Sequence, residues 1–334
     1  STGAEAFLLE PQSTNIFTES ENFSNGAWTL YQSATITPNN AVSPQGTQNA
    51  SKLTDVGGIF DQVPYNPNTN YVISLFAKTN TATSITINFV DQATGYLGGT
   101  IRYTFATNIA SVILQSANGS VVAEKEDYGN GWIRVILKFT TNVAQNYNYQ
   151  SIEFQSGDGW IWGAQLEQQS YATSYIPTSG ASATRNQELC TNATPVINSE
   201  EGTLYAEISA LSNDGTRRYI SLNNGTSNYD VRLYFSIDGY ISVLSKVAGT
   251  TQVFMQTNIY AQTDYNKIAF KYKENDFALW INGVEVQTDT SGLVNPIGEL
   301  DRLDFFGNGS DFFGNTKGLK YYPKALADVE LQDL

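Results

Sequence analysis

A repeated segment near the C-terminus places oxygen-bearing side chains at a regular spacing. The sequence DFFGN occurs at 304–308 and again at 311–315. Carboxylate and amide oxygens are ligands that Ca²⁺ accepts, and Asp304, Asn308 and Asp311 form the candidate set. The alternative is a glycine-containing bend whose phenylalanines pack between two sheets, because the segment lacks the dense acidic spacing of an EF-hand loop. We expect that no cofactor is required and keep structural calcium as the alternative.

Aromatic side chains beside polar groups are the second set with chemical potential, because a planar ring can stack on a sugar. In FALWI (277–281) the period-2 pattern directs the alternate apolar residues to the core and turns Trp280 outward. The outward residues of YDVRLYFSI (229–237) are Arg232 and Tyr234. Trp28 follows a turn and has Tyr31 close by. These five residues are the ligand-binding candidates, and the alternative for each tryptophan is packing against its own domain or its neighbour.

The segment WIWGAQLE (160–167) allows two interpretations. Two tryptophans one residue apart in a strand share a face, where they could stack a sugar or fill a core. Strict alternation groups Trp160 and Trp162 with Ala164 and Leu166, and leaves the glutamine and the glutamate on the opposite face. This pattern favours core packing, so we expect the closing strand of a domain here.

The residue inventory excludes several kinds of catalysis. The chain of 334 residues has no histidine and a single cysteine, Cys190. It therefore lacks the commonest general base, and no zinc site of the Cys/His type can form. A lone thiol without a histidine has no obvious catalytic partner, so a small buried or linker thiol is the expected role.

The charge balance limits the partners. With 18 basic and 32 acidic residues, the formal net charge is −14. Such a field repels phosphate backbones and anionic membranes, so nucleic acid is an improbable partner. Strongly sulfated or uronic polymers are disfavoured unless a cation bridges them. No run of apolar residues is long enough for a membrane span, so no membrane insertion is expected.

The elements that must position these residues are strands. Short runs rich in Val, Ile, Thr, Tyr and Phe alternate with turns, including NG at 282–283 and DG at 238–239. In GWIRVILKF the face of Ile133, Val135, Leu137 and Phe139 is purely apolar, as in an antiparallel sheet with one buried face. Only ALADVELQDL at the C-terminus has helical character. The alternating strand pattern is interrupted around 177–202, where the sequence is polar and reads as a linker. We therefore predict two tandem antiparallel β-sandwiches, residues 1–185 and 186–334.

Longer motifs resemble known domains. FLLEPQSTNIFTESENFSNGAW (7–28), GNGWIRV (129–135) and WGAQLEQQSYATSYIPT (162–178) resemble a jelly-roll, carbohydrate-binding-module-like domain. That domain is widespread in bacteriophage tail proteins and also occurs beside polysaccharide-degrading enzymes. EGTLYAEIS, YNKIAFKYKENDFALWINGVEV and KGLKYYPKALADVELQDL resemble a laminin-G/concanavalin-A-like lectin sandwich. The resemblance implies an all-β chain with a jelly roll followed by a lectin-like domain.

One short motif resembles an enzyme. ELDRLD (299–304) is similar to the Glu-x-Asp-x-x-Glu pattern of laminarinase-type glycoside hydrolases, which would need Glu299 and Asp301 on one face of a strand and a bulge to bring Asp304 round. The last position is one methylene short, and the motif lies near the end of the chain instead of at the centre of a larger sandwich. We therefore expect no enzymatic activity and no catalytic residues.

The function implied by the resemblance is non-catalytic recognition of a glycan or cell surface by a phage virion protein of the tail-fibre or receptor-binding type. The expected partners are a polysaccharide or cell-surface glycan and other virion proteins, with a homotrimer as one assembly and a virion or extracellular location. Two alternatives stay open. One is a virion structural protein that makes mainly protein contacts, and the other is a set of carbohydrate-binding modules from a secreted polysaccharide-degrading enzyme.

Overall fold

The structure is a computed structural model that describes residues 6–54, 57–91, 96–115, 120–141, 148–190, 194–307 and 310–334. Strands dominate these residues, and one short helix lies near the C-terminus. The pairings among the described strands are antiparallel, which agrees with the alternating sequence patterns.

The strands of the first half, in chain order, are β1 Phe7–Leu9, β2 Ser13–Asn15, β3 Thr29–Gln32, β4 Ile36–Ala41, β5 Ala50–Leu53, β6 Gly57–Asp61, β7 Asn70–Thr79, β8 Ser84–Asp91, β9 Tyr96–Thr104, β10 Ile109–Gln115, β11 Val121–Asp127, β12 Ile133–Thr140, β13 Tyr149–Gln155, β14 Gly159–Glu167 and β15 Ala183–Arg185. The elements of the second half are β16 Glu201–Ala210, β17 Arg218–Asn223, β18 Asp230–Phe235, β19 Ile241–Val247, β20 Thr250–Thr257, β21 Asn266–Lys273, β22 Phe277–Ile281, β23 Val284–Asp289, β24 Arg302–Asp304, β25 Phe306–Gly307, β26 Ser310–Asp311, β27 Gly314–Tyr322 and α1 Asp328–Gln332.

The chain forms two compact units. Residues 12–186 make up the N-terminal sandwich, and residues 187–334 together with the described residues up to Pro11 make up the C-terminal sandwich. The second unit includes the N-terminal strand because β1 pairs with β27, with Leu8 opposite Asn315. The predicted first domain, 1–185, had included this strand. Leu9 is buried in the core of the C-terminal sandwich, which is the physical reason for the difference.

The N-terminal sandwich packs two sheets against each other. Their strand orders are β10-β9-β8-β13-β6-β3 and β11-β12-β7-β14-β5-β4. The predicted apolar face of β12 lies in the core between them, where Ile133, Val135, Leu137 and Phe139 are all buried. The alternation of β12 therefore identified its buried face correctly.

The C-terminal sandwich has the same architecture. The sheet β1-β27-β16-β21-β22-β23 faces the sheet β20-β19-β18-β17-β24. Its core includes Leu204, Phe270 and Leu279 from the first sheet and Leu222 and Leu233 from the second. The fold class predicted from the sequence, two antiparallel β-sandwiches in an all-β chain, is confirmed.

A β-bulge in β14 breaks the predicted alternation: Ala164 and Leu166 lie in the sandwich core as expected, but the two tryptophans before the bulge do not. The register with β7 shifts between Trp162 and Gln165, and Gly163 adopts a φ of +64° at this point. One extra residue changes which side chains point inward. Ile161, Ala164 and Leu166 consequently lie in the sandwich core.

The two tryptophans of β14 lie on the opposite surface of their sheet. Trp162 is buried there in a separate cluster with Phe76 and Trp132, and Trp160 packs against this cluster. Both tryptophans share a face, as the sequence predicted. Their grouping with Ala164 and Leu166 was wrong, because the alternation assumed a regular strand.

Candidate functional site

Three aromatic rings lie in a row on the outer surface of the sheet that contains β3, β6 and β13. Ile59 and Ile152 are core residues of this sheet, so the alternate positions of their strands point away from the core. Tyr31, Phe60 and Tyr149 occupy such positions and are half-buried. The ring centroids of Tyr31 and Phe60 lie 6.2 Å apart, and those of Phe60 and Tyr149 lie 4.5 Å apart. The planes of these neighbouring rings are inclined to each other by 43° and 36°, and we name the three side chains the aromatic row.

A glycine allows Tyr31 to lie across its neighbouring strand. Tyr31 is paired with Gly58, and its hydroxyl donates to Glu153 Oε2 at 3.1 Å. A Cβ atom on Gly58 would lie 2.7 Å from Tyr31 Oη and 2.3 Å from the carbonyl oxygen of Ile152. Because neither contact is sterically acceptable, the phenol reaches Glu153 only while position 58 has no side chain.

Polar side chains continue the same surface across β13, β8 and β9. Ser151 lies opposite Phe60, Asn88 opposite Ser151, and Thr100 opposite Asn88. Asn88 Nδ2 donates to Ser151 Oγ at 3.0 Å, and Thr100 Oγ1 donates to Asn88 Oδ1 at 2.5 Å. Each of these groups is therefore held in one orientation, as a binding surface requires.

A second polar row runs parallel to the first. Glu153 and Arg102 both lie opposite Thr86, one on each side of it. Arg102 Nε is buried and makes no hydrogen bond within the described part of the chain. The surface thus carries a carboxylate acceptor, a guanidinium donor, hydroxyls and an amide next to the aromatic row. We name this whole surface, from Tyr31 to Arg102, the sheet face.

The tyrosines of the sheet face stay protonated at neutral pH. Burial raises the pKa of Tyr31, and the negative charge of Glu153 raises it further. The same two causes, in the same order, raise the pKa of Tyr149. Both phenols therefore remain hydrogen-bond donors, and the sheet face can offer a ring, a donor and an acceptor to one ligand.

Trp28 does not form an exposed platform as the sequence suggested. Its indole packs between Phe17 and Phe23, with ring centroids 5.0 and 5.2 Å away, and only 5% of it is exposed. Its Nε1 donates to the Glu19 carbonyl oxygen at 2.7 Å. The candidate pair therefore divides: Trp28 belongs to the sandwich core, whereas Tyr31 lies on the sheet face, where its role in ligand contact stays a prediction.

Trp280 points away from the core of its sandwich, as predicted, but it is covered. The C-terminal segment, residues 326–334 including α1, places Leu326 and Leu331 in a cluster with Trp280 and Tyr205. Only 8% of Trp280 is exposed, so it offers no free stacking surface in this structure. The sequence could not show this cover, because the contacts join β22 to a segment far along the chain.

Arg232 and Tyr234 lie on the outward side of β18, as predicted. Arg232 is buried, forms an ion pair with Asp230 at 2.5 Å and lies over the Tyr219 ring. Tyr234 is half-buried, 5.0 Å from Tyr219 between ring centroids. Burial raises the pKa of Asp230 to about 6, although the charges of Arg232 and Lys246 oppose the shift. The internal partners of Arg232 leave Tyr234 as the more accessible of the two candidates.

The predicted calcium ligands are only partly described. Asp304 Oδ2 accepts a hydrogen bond from Asn223 Nδ2 at 3.0 Å. Burial raises the pKa of Asp311. Asn308 lies outside the described residues. Those residues contain no group of three or more acidic, histidine or cysteine side chains able to hold a metal ion. Calcium binding stays a prediction.

The ELDRLD motif does not form the strand that a hydrolase pair would need. The strand β24 begins only at Arg302, and Glu299 lies in a turn in which its N–H donates to the Pro296 carbonyl oxygen. Glu299 Oε2 accepts from Asn224 Nδ2, and Asp301 pairs with the adjacent arginine. Each carboxylate has a partner within the C-terminal sandwich, Glu299 and Asp304 on the segment around Asn223 and Asn224 and Asp301 on the adjacent arginine, so the motif has a structural explanation.

Sequence reasoning missed Phe60, Tyr149 and Glu153. Each lies on a strand whose partner is distant in sequence, so only the sheet register brings them beside Tyr31. One signal was present in the sequence. The segment YQSIEFQ places Tyr149, Ser151 and Glu153 on alternate positions, while Ile152 and Phe154 between and after them face the core.

Comparisons with known proteins gave structural similarities only. No family model matches the chain, and no curated protein matches it. The CBM40 of the Ruminococcus gnavus IT-sialidase, solved with α2,3-sialyllactose, is 20% identical over 40% of this chain and 82% of that chain, with a TM-score of 0.36. The CBM22-1–GH10 modules of Clostridium thermocellum xylanase 10B, complexed with xylohexaose, are 13% identical over 50% of this chain and 30% of that chain, with a TM-score of 0.30.

Mouse laminin α1 domains LG4-5 are 10% identical over 80% of this chain and 88% of that chain, with a TM-score of 0.28. The structural neighbours are thus carbohydrate-binding modules and laminin LG domains. Among the described residues, no helix has the length and apolar character needed to cross a bilayer.

Proposed function

We propose that the chain is a carbohydrate-binding protein whose sheet face holds a glycan without cleaving it. The observation that carries this proposal is the aromatic row next to oriented polar side chains. Sugars present apolar C–H faces and hydroxyls together, and they are bound where a planar ring adjoins donors and acceptors. Glu153 can accept from two neighbouring hydroxyls, and the amide and hydroxyls beside it can supply the remaining partners.

The ligand of the sheet face is expected to be uncharged. The net charge of −14 repels polyanions, and Glu153 adds a negative charge at the site itself. Arg102 balances that charge locally, since both lie on one row of the sheet. A neutral polysaccharide meets neither repulsion nor an unpaired charge and is therefore the class we propose.

The biological setting we propose is a phage virion protein of the receptor-binding type that recognises a bacterial surface glycan. The resemblance of the first-half motifs to phage tail proteins supports this setting. A location on the virion or outside the cell, contacts with other virion proteins and a homotrimer belong to the same proposal. Retention of the purified chain on intact bacteria, and its release when surface polysaccharide is stripped, would test it.

The binding test compares variants of the aromatic row with a matched control. Affinities for a panel of neutral and acidic polysaccharides are measured with the wild type and with Phe60→Ala and Tyr149→Ala. Loss of one stacked ring is expected to weaken binding of a neutral polysaccharide by roughly tenfold, since such a contact contributes about 0.5–1.5 kcal/mol beyond area burial. Phe254→Ala is the control, because this ring is 50% exposed on β20 of the other sandwich.

The thermal unfolding of each variant shows that the sandwich remains folded. Binding that survives both substitutions, or that falls equally with the control, contradicts the proposed site. Absence of binding to every polysaccharide would contradict the proposed function.

A further inference from the structure

A polar basin lies in the N-terminal sandwich apart from the sheet face. Its volume is about 580 Å³, which is room for a sugar-sized molecule. None of its lining residues belongs to the sheet face. They share small size, polarity or negative charge, and they are Glu19, Glu21, Asn22, Ser24, Pro38, Asn39, Asn49, Ser51, Pro177, Thr178 and Ser179. The lining thus contains two carboxylates and no basic side chain.

Neighbouring donors hold both carboxylates in place. Glu19 Oε1 accepts from Asn25 Nδ2 and from the Gly180 N–H, each at 2.9 Å. Glu21 accepts from Asn49 Nδ2 at 2.8 Å and from the Tyr175 hydroxyl at 3.0 Å. These partners are neutral, and no basic side chain of the described residues pairs with either glutamate. The negative charge of the basin is therefore ordered but uncompensated.

Two further oxygens in the lining have no hydrogen-bond partner. Asn49 Oδ1 and Thr178 Oγ1 are buried and unpaired within the described residues, and only 7% of Thr178 is exposed. A buried polar atom without a partner is costly, so a ligand that supplies a hydrogen-bond partner to these oxygens would be favoured. Since an amide oxygen only accepts, the missing partner of Asn49 must supply a hydrogen-bond donor.

An aromatic recess adjoins the basin. It has a volume of about 330 Å³, and its lining includes Trp162, Tyr175, Tyr128 and Pro177. Pro177 lines both cavities, and Tyr175 connects them because its ring lines the recess while its hydroxyl reaches Glu21. Burial raises the pKa of Tyr175, which keeps this hydroxyl protonated. A ligand in both cavities would meet apolar rings on one side and acceptors with negative charge on the other.

We propose that the basin and recess form a second carbohydrate site, selective for amino sugars with a free ammonium group. The ammonium lies between the Glu19 and Glu21 carboxylates and supplies the donors that Asn49 Oδ1 and Thr178 Oγ1 lack. The C–H face of the same or the next sugar unit packs on the rings of the recess. The site does not depend on the sheet face, since the two share no residue.

The basin suits this class of ligand better than its simplest rivals. An anionic sugar would meet two carboxylates without a basic partner. A bare divalent ion would occupy a small part of about 580 Å³, and the described residues hold no group of three or more acidic, histidine or cysteine side chains able to bind a metal ion. A neutral sugar could use the hydroxyl and amide groups but would leave the two charges unpaired.

The test measures heats of binding of a glucosamine tetrasaccharide and its fully N-acetylated counterpart to the whole chain. At mildly acidic pH the amines are charged, and the glucosamine oligomer is expected to bind at least about tenfold more tightly, as for loss of a charge-assisted hydrogen bond. Glu21→Gln and Thr178→Val, both close in shape to the native side chains, are expected to weaken its binding. Added salt is expected to weaken it as well.

Phe254→Ala is the matched control, since this exposed ring belongs to neither proposed site and its loss should leave glucosamine binding unchanged. If Tyr149→Ala weakens the binding of a neutral polysaccharide, that result tests the sheet face and does not bear on the basin. Equal affinity for the two oligomers, no binding of the glucosamine oligomer, or its unchanged affinity in Glu21→Gln would each overturn the proposal. Calcium chloride titrated into the complex of the chain with the glucosamine oligomer is the last arm, and displacement of the oligomer by calcium would assign the basin to a metal ion instead.

Discussion

Replacement of Gly163 by alanine tests the bulge that positions Trp162. In the structure Gly163 has a φ of +64°, a conformation that costs a residue with a Cβ atom about 1–2 kcal/mol. The added Cβ would also lie 2.9 Å from Phe76 Cδ2 and 3.2 Å from Tyr175 Cε2. Both rings are packed against other aromatic side chains, Phe76 against Trp162 at 5.2 Å between centroids.

The expected cost of Gly163→Ala is the sum of these two effects. Overpacking of a filled site costs roughly 1–3 kcal/mol, so the free energy of unfolding should fall by about 2–5 kcal/mol in total. Gly46→Ala isolates the backbone contribution, because Gly46 has a φ of +89° and its added Cβ would meet no atom within 4 Å. That control is expected to lose only about 1–2 kcal/mol.

The assay is equilibrium unfolding in urea followed by tryptophan fluorescence, with the transition of the N-terminal sandwich analysed separately from that of its neighbour. Gly163→Ala should also shift the fluorescence emission of the adjacent Trp162, whose ring lines the recess. If Gly163→Ala costs no more than Gly46→Ala, the close contact with Phe76 is absent and Gly163 does not form the bulge that puts the two halves of β14 out of phase.

Two other substitutions test the C-terminal sandwich. Asp230→Asn should change how stability depends on pH: because the folded pKa is raised to about 6, the wild type is stabilised below the unfolded value near 3.8 and loses this stabilisation as pH rises through 6. As the pH falls from about 8 to 5, the wild type should therefore gain about 1.4 kcal/mol of unfolding free energy relative to Asp230→Asn. Parallel stability profiles of the two proteins would contradict a raised pKa for the buried Asp230 carboxyl. Leu331→Ala should cost about 2–3 kcal/mol and shift the emission of Trp280 to longer wavelength, since Leu331 is 1% exposed in its cluster. Val329→Ala on the same helix, where the side chain is 66% exposed, should do neither, and an unchanged emission in Leu331→Ala would show that the segment does not cover Trp280.

The regular parts of the fold were predictable from the sequence because a strand repeats every two residues. The alternation in β12 identified a face that is buried in full, and FALWI correctly directed Trp280 away from the core of its sandwich. The short helix α1 also lies within the one segment that had helical character. These predictions depend only on local periodicity, which the chain carries in each strand.

The errors arose where one residue or one distant segment changes the outcome. The bulge at Gly163 shifts the phase of β14, and no pattern in WIWGAQLE distinguishes a bulge glycine from an ordinary one. Trp28 is buried because Phe17 and Phe23 flank it, and Trp280 is covered because the chain returns over β22. Tyr31 was found as an isolated aromatic, but its neighbours on the sheet face depend on a register that a single sequence does not determine.

The two proposed sites differ in how they use the charge of the molecule. On the sheet face Glu153 shares a row with Arg102, so the local charges are opposite and the favourable terms are stacking and neutral hydrogen bonds, which salt screens little. In the basin Glu19 and Glu21 have no basic side chain in the lining, so their field adds to the net charge of −14 and attracts a cation. Ionic strength should therefore separate the two sites within one sandwich: binding at the basin weakens as salt is added, while binding at the sheet face persists. This selectivity follows from the placement of one arginine and three glutamates, since both sites use the same β-sandwich to present their aromatic rings.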